Sequence, residues 1–319
     1  MPFYANGTLI PENVSSVLMV NGINISQVIS NGVAVWTQNL GPRGIFYGGG
    51  AVAIVSTITI LSSTATLVQA ETNVGTVRYY SAGANVGTNA LFYGGSDSAN
   101  YSATTLLSPT AVLVQAETNV GTARSGFPGV KVGTNALFYG GISSAYVSTT
   151  TLLSPTAVLV QGETNVGTAR SDSGGANVGT NALLYGGWDN NAPVVSKTTL
   201  LSQTATLVQA ETSVGTARYT LAGANVGTNA LFYGGYNGSG VLSTATVLSP
   251  TATLVQAETN VGTARDALAG ANVGTNALFY SESTSASISA TTLLSPTAVL
   301  VQAETNVGTP RYGLAGASL

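Results

Sequence analysis

Short apolar runs, each stopped by a pair of glycines or a turn, recur along most of this chain. The clearest is ALFYGG, at residues 90–95, 136–141 and 230–235, with variants GIFYGG at 44–49, ALLYGG at 182–187 and ALFYSE at 277–282. Their tyrosines are Tyr47, Tyr93, Tyr139, Tyr185, Tyr233 and Tyr280, about 46–48 residues apart, a period that signals a repeat architecture. Four or five apolar residues ending in Gly-Gly predict a short buried strand, halted where a side chain would obstruct the turn.

From residue 41 onward one unit recurs six times. A full copy carries four short apolar segments, AGANV, ALFYGG, TTLL and AVLVQ, with turn residues between them. Four strands in 40–50 residues is the arithmetic of a β-propeller blade. The first unit lacks the AGANV segment, and the last residues, YGLAGASL at 312–319, supply one. The predicted fold is therefore all-β: a six-bladed propeller over residues 41–319, closed by the C-terminal strand completing the first blade. Such closure removes the open edges of the ring.

Residues 1–40 do not carry the repeat. Apolar alternation flanks Asn21-Gly22 and again Asn31-Gly32, the strongest short-range hairpin signal. They predict a small N-terminal β meander, serving either as a flap or as an attachment module for a larger assembly.

Composition narrows the function. Charged residues are 7% of the chain, formal net charge is −3, and nine Lys and Arg are scattered, so no basic stripe exists for nucleic acid. There is no Cys or His, which removes disulfides, thiolate metal sites and the commonest general base. No cofactor and no metal site is expected. The N-terminus lacks signal-peptide character, and no apolar run is long enough for a membrane helix, so membrane insertion is not expected.

Half of the twelve acids occupy one repeat position: Glu71, Glu117, Glu163, Glu211, Glu258 and Glu304. Six arginines occupy another, seven residues later: Arg78, Arg124, Arg170, Arg218, Arg265 and Arg311. A residue present in every blade is held by what all blades share. We expect structural bridges, Glu–Arg or Arg–carbonyl, within or between blades; the alternative is a charged ring lining the channel.

Two windows vary between copies that are otherwise nearly identical. One follows the Gly-Gly and the other follows the arginine. In an up-and-down blade both emerge on the same face. They hold groups suited to recognition: Tyr101, Tyr146, Trp188, Asp189, Asn190, Tyr236, Asn237, Asp172 and Asp266. Exposed aromatics beside Asp and Asn stack on sugar rings or anchor protein contacts.

The unit resembles the kelch repeat of galactose-oxidase-like propellers, with Gly94-Gly95 at the diglycine, Ser108-Pro109 at the turn and Thr122-Ala123-Arg124 closing the segment. Leu107 and Val114 stand where that family has Tyr and Trp, and Ser281-Glu282 replaces the last diglycine. The copper chemistry of such oxidases needs His and a Cys-modified Tyr, both impossible here, so no enzyme activity is expected. Residues 1–40 resemble short β modules of tailed-phage virion proteins. That resemblance implies a virion structural and binding protein, a tail-fibre or decoration component. Residues 1–40 would contact other virion proteins, and a propeller face would meet a host-surface glycan or protein. The alternatives are an intracellular kelch-like interaction module and, last, a propeller enzyme.

Overall fold

The computed structural model describes residues 41–50, 53–190, 193–283 and 287–319, together with six short strands within the first forty residues. The chain divides into two compact units, Met1–Gly41 and Pro42–Leu319.

The first unit contains three hairpins. Phe3–Ala5 pairs with Thr8–Ile10, Leu18–Val20 with Ile23–Ile25, and Gln27–Ser30 with Val33–Thr37, all antiparallel. They form three separate two-stranded sheets rather than one meander. The turns at Asn21-Gly22 and Asn31-Gly32 lie outside the described residues. Sequence reasoning overlooked the first hairpin, although Asn6-Gly7 stands between its strands.

The second unit is a propeller of six four-stranded antiparallel sheets. In the second blade the strands, from the axis outward, are Ala82–Val86, Asn89–Tyr93, Ala103–Leu107 and Thr118–Asn119. The first blade takes its innermost strand, Ala315–Ser318, from the far end of the chain, pairing Ala315 with Tyr47 and Ser318 with Gly44. Leu319 and Arg43 then exchange backbone hydrogen bonds at 2.9 and 3.2 Å. Among the described residues no helix is long and apolar enough to cross a membrane.

The strand ALFY is apolar throughout because both faces of a blade are covered. Ala90 and Phe92 pack with Ile45 and Tyr47 of the preceding blade, while Leu91 and Tyr93 pack with Ala136 and Phe138 of the following one. The core is therefore six layers between blades, each apolar cluster shared by two neighbours. Ring pairs recur in it: Tyr47–Phe92 at 5.0 Å, Tyr93–Phe138 at 5.1 Å and Tyr280–Phe46 at 5.0 Å between centroids. Such contacts add to area burial.

The diglycine ends this strand for a steric reason. Gly94 and Gly95 have φ of +66° and +94°, and a Cβ on Gly94 would lie 2.6 Å from the Arg124 carbonyl oxygen. Where Ser281-Glu282 replaces the pair, the strands run on as a longer hairpin, Asn276–Ser283 against Ser287–Leu294, with a register shift between Tyr280 and Glu282.

The outermost strand corrects the sequence expectation. AVLVQ is not the regular fourth strand; the paired residues come later, at Thr118–Asn119, and Leu113 makes only an isolated bridge to Leu107. The Ser108-Pro109-Thr110-Ala111 turn explains the offset. Ala111 donates to Ser108 O at 3.0 Å, Ser108 donates to Val112 O at 2.9 Å, and Ala111 sits at φ +61°. This is a type I turn followed by a left-handed residue, with alanine where glycine is usual.

Candidate functional site

The blades are locked together by the repeated charges. Arg124 lies 3.1 Å from Glu163, and the other five pairs, each between one blade's closing arginine and the glutamate of the next blade, span 3.2–3.8 Å. All six arginines are fully buried. Arg124 Nη2 also donates to Thr151 Oγ1 of the next blade at 2.8 Å, and its guanidinium stacks 5.3 Å from the Tyr93 ring of its own blade. Glu163 accepts from the Thr122 N–H at 3.0 Å and Oγ1 at 2.6 Å, and from the Thr151 hydroxyl. Tyr93 closes the lock by donating to Thr122 O at 2.7 Å. Burial pushes Glu71, Glu117, Glu163, Glu211 and Glu258 upward, but threonine and backbone donors with the nearby arginine outweigh it and hold these carboxyls below the ordinary range. The two charge ladders thus meet between blades, away from the channel.

These locks hold the two variable windows on one face. The residue after five of the six arginines bridges the residue after a diglycine: Gly50 with Tyr312, Tyr79 with Ser96, Ser125 with Ile142, Ser171 with Trp188, and Tyr219 with Tyr236. Two aromatic groups result. Trp188 meets Tyr219 edge-on at 5.0 Å, and Tyr219 meets Tyr236 at 5.7 Å. Across the face, Tyr79 lies 4.8 Å from Tyr80 and 6.4 Å from Tyr312. All six rings are half-buried.

The remaining expected residues divide by environment. Tyr101 donates to Asp97 at 2.7 Å, and this bond leads the interactions that hold the Asp97 carboxyl down at about 2. Tyr146 is half-buried and bridges Ile142 within its loop. Asn190 is exposed, whereas Asn237 folds its side chain back to accept from Ser239 and Gly240 N–H groups at 2.9 Å. Asp189, expected on the open surface, is only 5% exposed and is set aside as a contact residue.

Asp172 and Asp266 sit nearer the axis, where sequence reasoning missed a structure. Tyr80, Gly126, Asp172, Thr220, Ala267 and Gly313, one from each link, form a closed cycle of backbone hydrogen bonds. Each N–H donates to the carbonyl of the preceding member, at 2.6–3.0 Å. All six have positive φ, 50–65°. The signal was faint, since five different residue types occupy one conformation at the six positions. Beside this cycle lies a cavity of about 80 Å³. Burial pushes the Asp172 carboxyl up to about 6, against a 2.6 Å hydrogen bond from Ser171, and raises Asp266 as well.

The opposite, uniform face has its own features. The innermost strands approach so closely that a Cβ on Gly83 would lie 2.5 Å from Gly316 O, and one on Gly223 2.5 Å from Gly175 O. Above this glycine ring opens a mouth of about 390 Å³. Its rim carries Asn85, Lys131, Asn177, Asn225, Asn272 and Ser318. Asn side chains tie neighbouring blades: Asn225 donates to Asn177 O at 2.9 Å, Asn272 to Asn225 O at 3.0 Å, and Asn85 to Ser318 O at 2.9 Å. Toward the outer edge, valines and leucines of the AVLVQ segments are open to solvent, with Val112 60%, Val158 59% and Val299 59% exposed.

Among the described residues no three His, Cys, Asp or Glu side chains cluster as metal ligands. The chain is a six-bladed β-propeller whose closing strand comes from its C-terminal end, an architecture that provides an interaction or binding module. Compared with protein-family models and with curated proteins, it finds no match in either.

Proposed function

We propose that this protein is a non-enzymatic structural and binding component, a virion protein of the tail-fibre or decoration kind, whose variable face meets a host-surface glycan or protein. The observation that carries this is the convergence of both variable windows on one face, joined blade to blade by backbone bridges. The near-copied segments build the scaffold and the divergent ones are gathered where a ligand would touch them. Half-buried rings such as Trp188 and Tyr236 offer flat apolar area at low entropic cost. Kelch-like propellers use the same division between frame and loops, which is the analogy behind this assignment.

Support for an assembled particle comes from the surface. Six of the nine Lys and Arg are buried in the locks, and among the described residues fifteen large apolar side chains are substantially exposed. A surface so poor in charge has little to oppose association, which suits a protein that works packed among others. Residues 1–40 would then serve as the tether to other virion proteins.

Binding of the purified protein to bacterial cells and to a glycan array tests this, beside a Trp188→Ala/Tyr236→Ala variant. We expect binding that survives high salt and is lost in a variant that melts normally. Absence of binding to any surface would leave an architectural role alone and remove the recognition role. A partner found only among soluble intracellular proteins would favour the interaction-module alternative.

A further inference from the structure

The rim of the channel mouth on the uniform face departs from Asn at two of its six positions, Lys131 and Ser318. Four blades place Asn on the rim, at Asn85, Asn177, Asn225 and Asn272, in the sequence AN. The third blade reads PGVKV and places Lys131 there. Of the nine Lys and Arg, Lys131 alone is exposed; the seven arginines are buried and Lys197 donates to Thr168 Oγ1 at 2.8 Å.

The substitution also interrupts the amide ladder. Asn85, Asn225 and Asn272 each donate to the backbone of the blade before, as Asn225 does to Asn177. At the third blade Lys131 stands in place of the rim amide that would donate to the Asn85 carbonyl. None of the side chains lining the mouth is acidic.

We propose that this mouth is a second binding site, for a small polyhydroxylated carboxylate such as a uronic acid. Lys131 pairs with the carboxylate, and the rim amides and carbonyls take the hydroxyls. The cavity, about 390 Å³, falls in the range of small-molecule sites. The site lies on the face opposite the variable windows and does not depend on their role.

Calorimetric titration with glucuronate, glucose and inorganic phosphate tests it. Lys131→Asn restores the residue that four other blades carry, so the variant is expected to fold and melt as the parent does. Glucuronate should bind the parent at least about tenfold more tightly than glucose, and Lys131→Asn should weaken it by about tenfold or more. Lys131→Arg should retain most of the affinity. Absence of glucuronate binding at millimolar concentration, or equal binding by Lys131→Asn, would overturn the proposal. Phosphate binding as well as glucuronate would reduce the site to bare charge attraction and overturn the assignment of a hydroxylated ligand.

Discussion

The backbone N–H of Thr309 donates to Glu71 Oε2 at 3.0 Å, across 238 positions of the chain. The same contact joins Thr122 to Glu163 across 41 positions. The ring therefore closes with the lock used between all other blades, and its weakest point is not marked by a missing charge. Arg311→Ala and Arg124→Ala should each destabilise the propeller by about 3–5 kcal/mol, because each leaves a glutamate without its buried partner. Urea titration of both variants checks this. A loss below about 1 kcal/mol would mean that the locks are incidental.

Acid should loosen every blade together. Five of the lock glutamates have carboxyls held below the ordinary range once their hydrogen bonds and arginines have outweighed burial. A lowered folded-state pKa contributes stability that is present above the unfolded value and is lost as pH falls through the folded one. Melting temperature should therefore hold from neutrality to the usual glutamate range and fall steeply below it. Glu163→Gln should flatten part of that fall.

Asp172 has the opposite sign. Its carboxyl, pushed up to about 6 by burial, favours folding below the unfolded value and loses that contribution as pH rises toward 6. Asp172→Asn keeps an acceptor for Ser171 and removes the buried charge. It should stabilise the protein at pH 7 by about 1 kcal/mol, allowing for partial exposure, and change nothing near pH 4. Thermal melts at the two pH values distinguish this from a general effect of substitution.

The glycines of the innermost strands are required by the approach of neighbouring backbones. Gly223→Ala would place a Cβ 2.5 Å from Gly175 O, which is backbone and cannot swing aside. Destabilisation of several kcal/mol is expected, against about zero for Gly162→Ala, which meets nothing within 4 Å. Comparable melting of the two variants would contradict the packing described at the axis.

Much of this architecture was legible because the repeat is so regular. ALFYGG marks a buried strand whose stop is dictated by two positive-φ residues, and the C-terminal AGAS segment announces the closure. The fourth strand was misplaced for a local reason. AVLV has strand-like composition, but the left-handed Ala111 turns the chain so that only Leu113 bridges back before Thr118–Asn119 pair. The cycle of links at the axis was invisible, because Tyr80, Gly126, Asp172, Thr220, Ala267 and Gly313 share a conformation and not a side chain. Asp189 looked like a contact residue from its neighbours Trp188 and Asn190, yet tertiary packing turns it inward. Lys131 escaped notice because a single change within a uniform segment attracts less attention than a variable window.

The central claim is that recognition belongs to the variable windows and stability to the copied frame. Replacing residues 188–196 with the window 96–102 of the second blade tests it most directly, since both segments follow a diglycine and lead into an equivalent strand, Lys197–Leu201 or Ala103–Leu107. The exchanged protein should melt as the parent does and lose its binding to cells or glycans. Unchanged binding in a folded exchange would place recognition elsewhere and contradict the account.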